Sequence, residues 1–123
     1  IPQIFEDLGE SGFRDIESQA IATVSAKQNC IIATGGGAAL REQNITLLKG
    51  NGTIYFIDRP LQMLITTDDR PLSSNRDDLV KRYNERYDIY CSTADKRVLN
   101  DGEIETVVNT IKEDFLKLLP LPF

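Results

Sequence analysis

Asn29-Cys30-Ile31-Ile32-Ala33-Thr34-Gly35-Gly36-Gly37 is the stretch on which the fold reading turns. Residues 29–34 make a short, nearly continuous apolar run, the pattern of a strand covered on both faces of a parallel sheet. Three glycines follow directly. Open α/β sheets bind ligands at the carboxyl ends of their strands, and a glycine turn there lets backbone approach a bound molecule. It also leaves amide N–H groups free to face an anion or a hydroxyl. A purely structural strand-to-helix turn would explain one glycine more easily than three.

Upstream of this stretch, Phe13, Ile16, Ala20 and Val24 recur at helical spacing. They predict an amphipathic helix to about residue 26, entered after a short turn that ends at Leu8-Gly9-Glu10. Glu17 falls on the side of Phe13 and Ala20, so its carboxylate needs a cationic partner or a raised pKa, and Arg14 is within reach. Downstream, Leu40 to Lys49 predicts a short helix and Gly50-Asn51-Gly52 a turn. Thr53-Ile54-Tyr55-Phe56-Ile57 predicts a second buried strand that stops at Asp58-Arg59-Pro60. Strand, helix and strand in this order imply a right-handed parallel crossover, hence an α/β fold. Leu61 to Thr67 is expected to form one or two helical turns, Thr67 to Asn75 an exposed loop, and Asp77 to Ser92 a helix. Lys96 to Asn100 is expected to be a short edge strand. Ile104, Val107, Val108, Ile111, Phe115 and Leu118 then form the most regular amphipathic helix, ended by Pro120 and Pro122.

The chain has 123 residues, 41% of them hydrophobic and 27% charged, enough for one compact core. It has no His, which excludes imidazole bases, Ser-His triads and His metal ligands, and two cysteines alone cannot build a structural zinc site. Catalysis must rest on carboxylates, arginines, lysines, hydroxyls and backbone amides, and no metal ligand is assigned. Fourteen basic against nineteen acidic residues give a formal charge of −5, which disfavours a nucleic-acid partner. No apolar run approaches membrane-spanning length, and Ile1 to Phe5 lacks the features of a signal peptide. A soluble, cytoplasmic protein without a membrane partner is expected, with Cys30 and Cys91 as reduced thiols. The chain opens on Ile1 and its only methionine is Met63. We therefore expect it to start after processing or inside a longer polypeptide.

Three arginines are candidates for anion chemistry. Arg14 has Glu10 and Glu17 at helical spacing, so a structural ion pair and a ligand contact both remain open. Arg86 has Arg82, Tyr83, Ile89 and Tyr90 at three and four residues and no acid among them. That arrangement is mildly unfavourable unless something anionic occupies the face. Arg70, in Asp68-Asp69-Arg70-Pro71-Leu72, stands at the base of a polar segment that reads as a closing lid over residues 68–77. A solvated loop arginine beside two aspartates is the ordinary alternative.

Taken in order, Ile4-Phe5 with Gly9-Glu10, then Phe13-Arg14 and Glu17, Ala33-Thr34-Gly35-Gly36-Gly37, Arg70-Pro71-Leu72, and Arg86 with Tyr90 resemble shikimate kinase. The resemblance implies one domain over residues 1–123 with a nucleoside-monophosphate-kinase-like P-loop fold, three-layer α/β/α, seen without its first strands. It implies transfer of the γ-phosphate of ATP to the 3-hydroxyl of shikimate, with Mg²⁺, in aromatic amino-acid biosynthesis. Arg14 and Arg86 then match positions that grip the shikimate carboxylate, Gly35, Gly36 and Gly37 the backbone that meets a ring hydroxyl, and Arg70 the catalytic lid arginine on the phosphates. Glu17 and Tyr90 are expected as supporting residues.

Three departures from the family pattern accompany it. No G-x-x-x-x-G-K-[ST] motif occurs in the 123 residues, nor the aspartate pair that follows it. Both are expected upstream of Ile1. The lid is a few residues shorter than usual, and the loop from Leu99 to Glu103 lacks the arginine that often meets adenine. The absent strand would sit between the strands read at 29–34 and 53–58, leaving two unpaired inner edges. We therefore expect this chain not to be stable alone as a monomer and to belong with the rest of a longer or multifunctional polypeptide; without the phosphate loop it is also expected to be inactive alone. A non-catalytic shikimate-binding or regulatory module, or a related small-molecule kinase such as gluconate kinase, are the alternative readings.

Overall fold

The computed structural model describes residues 2–67 and 73–119, which fall into two compact units divided between Thr53 and Ile54. In the first, the predicted amphipathic helix forms as α1 (Pro2–Ser25). It breaks where the sequence suggested. Gly9 adopts φ 72° and ψ −177°, a left-handed value that costs glycine little and other residues more. A 3₁₀ turn (Gly36–Leu40) and helix α2 (Glu42–Gly50) follow, both resting on α1.

The inward face of α1 lies about a quarter turn from the predicted stripe. Ser18, Ile21 and Ser25 are buried, whereas Ile16 and Ala20 are exposed. The reason is polar anchoring. Arg41 Nη1, just ahead of α2, donates to Asp15 Oδ1 at 2.9 Å and to Ser18 Oγ at 3.3 Å. The small serine positions let α2 and the 3₁₀ turn approach closely. Asn44 of α2 is fully buried, and its Nδ2 donates to the Ala38 carbonyl at 3.0 Å, fixing the 3₁₀ turn to the helix. Asn51 Nδ2 donates to the carbonyls of Ser25 and Lys27, at 3.1 and 3.0 Å, and so satisfies the end of α1.

The strand predicted at residues 29–34 does not form. The segment joins no ladder among the described residues, Asn29 adopts φ 56°, and Ile31 is fully exposed. An apolar run becomes a strand only when a neighbour pairs its backbone groups.

The second unit carries the parallel sheet. Strand β1 (Tyr55–Asp58) pairs with β2 (Lys96–Leu99) in parallel, in a register from Tyr55 opposite Lys96 to Asp58 opposite Leu99. Between them lie α3 (Leu61–Thr67) and α4 (Ser73–Thr93), and α5 (Ile104–Leu118) packs on β2 through buried Val107. Helix α4 begins at Ser73, ahead of the predicted Asp77. The run Ser73-Ser74-Asn75-Arg76-Asp77-Asp78 holds no glycine or proline that would stop a helix. The remaining residues of the predicted lid, 68–72, lie outside the described residues, and so do Pro120 and Pro122.

Candidate functional site

In the first unit, α1 and the glycine turn meet at Arg14. Its Nη1 donates to Glu17 Oε1 at 2.9 Å, one helical turn along, and the two side chains are only 15% and 14% exposed. Glu10 adds a looser pairing at 3.9 Å. The local pair expected from spacing is present, and Glu17 has the cation it needs. The guanidinium then lies against Gly37, so closely that a Cβ there would overlap Nη1, Cζ and Nη2. A side chain at 37 would thus displace the flexible tip of Arg14, and no unusual φ constrains the position. Gly35 faces the same pair: a Cβ on it would stand 3.6 Å from Glu17 Oε2, an ordinary contact. Gly35 and Gly36 are exposed and Gly37 is buried.

This arrangement leaves Arg14 with donors to spare. Its Nε is buried without a hydrogen-bond partner among the described residues, and the Phe13 ring centroid lies 5.1 Å from Cζ. A guanidinium has five N–H donors in a planar fork, and Glu17 takes one of them. The exposed Gly35-Gly36 backbone beside it provides the close approach that a small anionic or hydroxylated ligand needs. Arg14, Glu17, Gly35 and Gly37 therefore come together as one cluster.

Arg86 and Tyr90 belong to the second unit. Arg86, on α4, is half-buried and makes no hydrogen bond or ion pair with another described residue, as its lack of acidic neighbours suggested. Lys81 lies 3.9 Å from Glu85, one helical turn along. Tyr90 packs on Phe56 of β1 with ring centroids 5.1 Å apart. Arg70 lies outside the described residues.

One polar centre was missed in the sequence, where Asp58 reads only as a strand stop. Asp58 is 2% exposed at the carboxyl end of β1. Its carboxylate accepts from Arg97 Nε at 2.7 Å, Tyr87 Oη at 3.2 Å and Tyr83 Oη at 3.5 Å. Burial pushes both tyrosine hydroxyls up, with the Asp58 charge acting the same way, and the bond to Asp58 raises Arg97. An aspartate ending an apolar strand, with tyrosines four apart on a later helix, was the available signal. A second polar centre joins Tyr55 Oη and Lys96 Nζ to Asp114 of α5 at 2.7 and 3.0 Å.

The family model for shikimate kinase matches residues 1–116. This chain belongs to the shikimate kinase family. A shikimate kinase of Clostridium beijerinckii is 44% identical over 98% of the chain, which covers 73% of that relative. A shikimate kinase of Aquifex aeolicus is 38% identical over 90% of the chain and 68% of the relative. The crystal structure of an Aquifex aeolicus shikimate kinase superposes with a TM-score of 0.78 at 34% identity, over 95% of this chain and 70% of that one. A shikimate kinase from Acinetobacter baumannii in complex with shikimate shares the fold, with a TM-score of 0.85 at 22% identity, over 98% and 72% of the two chains. The fold is thus the P-loop, nucleoside-monophosphate-kinase-like one of shikimate kinases.

Shikimate kinases use ATP and Mg²⁺. No cluster of three acidic or cysteine side chains among the described residues is placed to hold a metal. The two most buried carboxylates of the clusters above are already committed, Glu17 to Arg14 and Asp58 to Arg97. The described residues do not fit Mg²⁺. No helix among them is long and apolar enough to cross a membrane.

Proposed function

We propose that this chain supplies the acceptor side of a kinase that moves the γ-phosphate of ATP to the 3-hydroxyl of shikimate. The observation that carries the reading is Arg14, held by Glu17 against Gly37 with unused guanidinium donors facing the glycine turn. In this reading the Arg14 and Arg86 guanidinium groups bind the shikimate carboxylate through charge-assisted hydrogen bonds. Backbone at Gly35 to Gly37 meets a ring hydroxyl, and Glu17 and Tyr90 support the two arginines. Such fixed contacts hold the acceptor hydroxyl in a reactive orientation, and positioning is a main source of rate in phosphoryl transfer.

Arg70 belongs to the donor side of the same reaction, as a lid charge on the transferring phosphoryl group. The reading assigns Mg²⁺ no ligand within these 123 residues. Lys27, Lys49 and Lys81 follow no glycine-rich loop, so none is a phosphate-loop lysine. The 123 residues alone should therefore bind shikimate but not turn it over. The experiment mixes the purified chain with ATP, Mg²⁺ and shikimate, follows ADP release, and titrates shikimate by calorimetry. Turnover at about 1–100 s⁻¹, the usual kinase range, would show that the phosphate-handling groups lie within the chain after all.

A further inference from the structure

Asp58 is a buried carboxylate with three donors, yet the acceptor chemistry above makes no use of it. Two of those donors, Tyr83 and Tyr87, lie one turn apart on α4 and flank Arg86 in sequence. The third, Arg97, comes from β2, so one carboxylate on β1 ties both strands to the helix. The rings reinforce this tie: Tyr83 and Tyr87 are 5.4 Å apart between centroids, and Phe56 meets Tyr87 at 5.9 Å and Tyr90 at 5.1 Å. Arg86 projects from the same half of α4 and has no partner of its own among the described residues. Where its side chain leaves α4 is therefore set by the rotation of the helix about its axis.

We infer that Asp58, through the Tyr83 and Tyr87 hydroxyls, is a positioning residue for Arg86: it fixes the rotation of α4 and so aims a guanidinium at the shikimate carboxylate. This inference rests on the acceptor reading given above for Arg86. Geometry supplies its size. An atom about 6 Å from a helix axis moves by about 1 Å for a ten-degree rotation, and misplacement of that order in a substrate-positioning group costs up to about a hundredfold. A ring surface alone resists such a rotation weakly, because aromatic contacts tolerate sliding. Directed hydroxyl-to-carboxylate bonds resist it better.

The test is a double-mutant cycle on the full chain, read as the dissociation constant of shikimate by calorimetry. Tyr83→Phe/Tyr87→Phe keeps both rings and removes both hydroxyls, and should weaken shikimate binding about tenfold. In an Arg86→Ala background the same pair of changes should have no further effect, because the group they aim is gone. Nitrogen-15 NMR of the Arg86 guanidinium adds a signature that loss of stability does not mimic. Its Nε–H resonance should be sharp in the shikimate-bound chain and broadened in the double phenylalanine variant. If Arg86→Ala leaves shikimate binding unchanged, the acceptor reading of Arg86 fails, and the inference with it. If Arg86→Ala weakens binding but the phenylalanine pair has no effect, or the same effect in both backgrounds, only the positioning role is overturned.

Discussion

Replacing Gly37 by alanine should separate the close approach at Arg14 from ordinary glycine tolerance. A Cβ at residue 37 would overlap three atoms of the Arg14 guanidinium, and ordinary carbon contacts begin near 3.5 Å. The guanidinium must retreat by about 1 Å or more, which stretches its 2.9 Å bond to Glu17. The overlapped atoms are the far end of a flexible side chain, so the retreat itself costs little stability and the loss falls on ligand binding. Loss of a well-aimed hydrogen bond from a charged group costs a bound ligand about 1.5–3 kcal/mol, or roughly a ten- to hundredfold rise in dissociation constant. Gly35→Ala is the control. Residue 35 has φ −70° and ψ 157°, which any residue adopts, and its Cβ would sit at an ordinary 3.6 Å from Glu17. Its stability should stay within about 0.5 kcal/mol of the parent. Urea denaturation and shikimate calorimetry on both variants check this. Equal affinity for Gly37→Ala and the parent would refute the close approach on which the acceptor reading is built.

Further outcomes follow from the polar centres. Burial and the hydrogen bond to Asp114 push the Tyr55 hydroxyl up to about 12. A folded value raised above the usual 10 means that its contribution is intact below pH 10 and is lost as pH rises from about 10 to 12. Thermal melts across that window should show a steeper loss for the parent than for Tyr55→Phe. Asn44→Asp puts a carboxylate oxygen against the Ala38 carbonyl in a fully buried position, and should cost about 3 kcal/mol or more in urea unfolding. Glu17→Gln keeps the shape of the side chain but removes the charge that holds Arg14. It should weaken shikimate binding several-fold, as read by calorimetry, while leaving α1 helical by circular dichroism.

Most helices were legible because their apolar spacing is local. α5 lies where Ile104, Val107, Ile111 and Phe115 predict, and the break in α1 lies at Gly9. Strands β1 and β2 were also readable, since each is short and bounded by Asp58-Arg59-Pro60 or Asp101-Gly102. What local spacing cannot contain is a partner. Residues 29–34 have the composition of a strand but no ladder among the described residues, and the inward face of α1 is turned by Arg41, which comes from elsewhere in the chain. The site shows the same division. Arg14 with Glu17 was visible because the pair is one turn apart, whereas Asp58 and Arg97 are brought together by the parallel pairing of β1 with β2, and Tyr83 and Tyr87 by the contact of α4 with Phe56 of β1. The contact of Arg14 with Gly37 was likewise invisible, because twenty-three residues separate the two.

The central claim is that this chain recognises shikimate through its carboxylate, with Arg14 as a principal contact. Calorimetric titration of the chain with shikimate and, separately, with its methyl ester tests this most directly, because the ester keeps the ring and hydroxyls and removes the negative charge. The account predicts saturable one-to-one binding of shikimate that falls at least tenfold for the ester, and an Arg14→Ala chain that binds shikimate more weakly and prefers the acid by a smaller margin, because Arg86 alone remains to meet the carboxylate. Equal affinity of the parent chain for acid and ester, or an Arg14→Ala chain that still prefers the acid by the parent's margin, would contradict it.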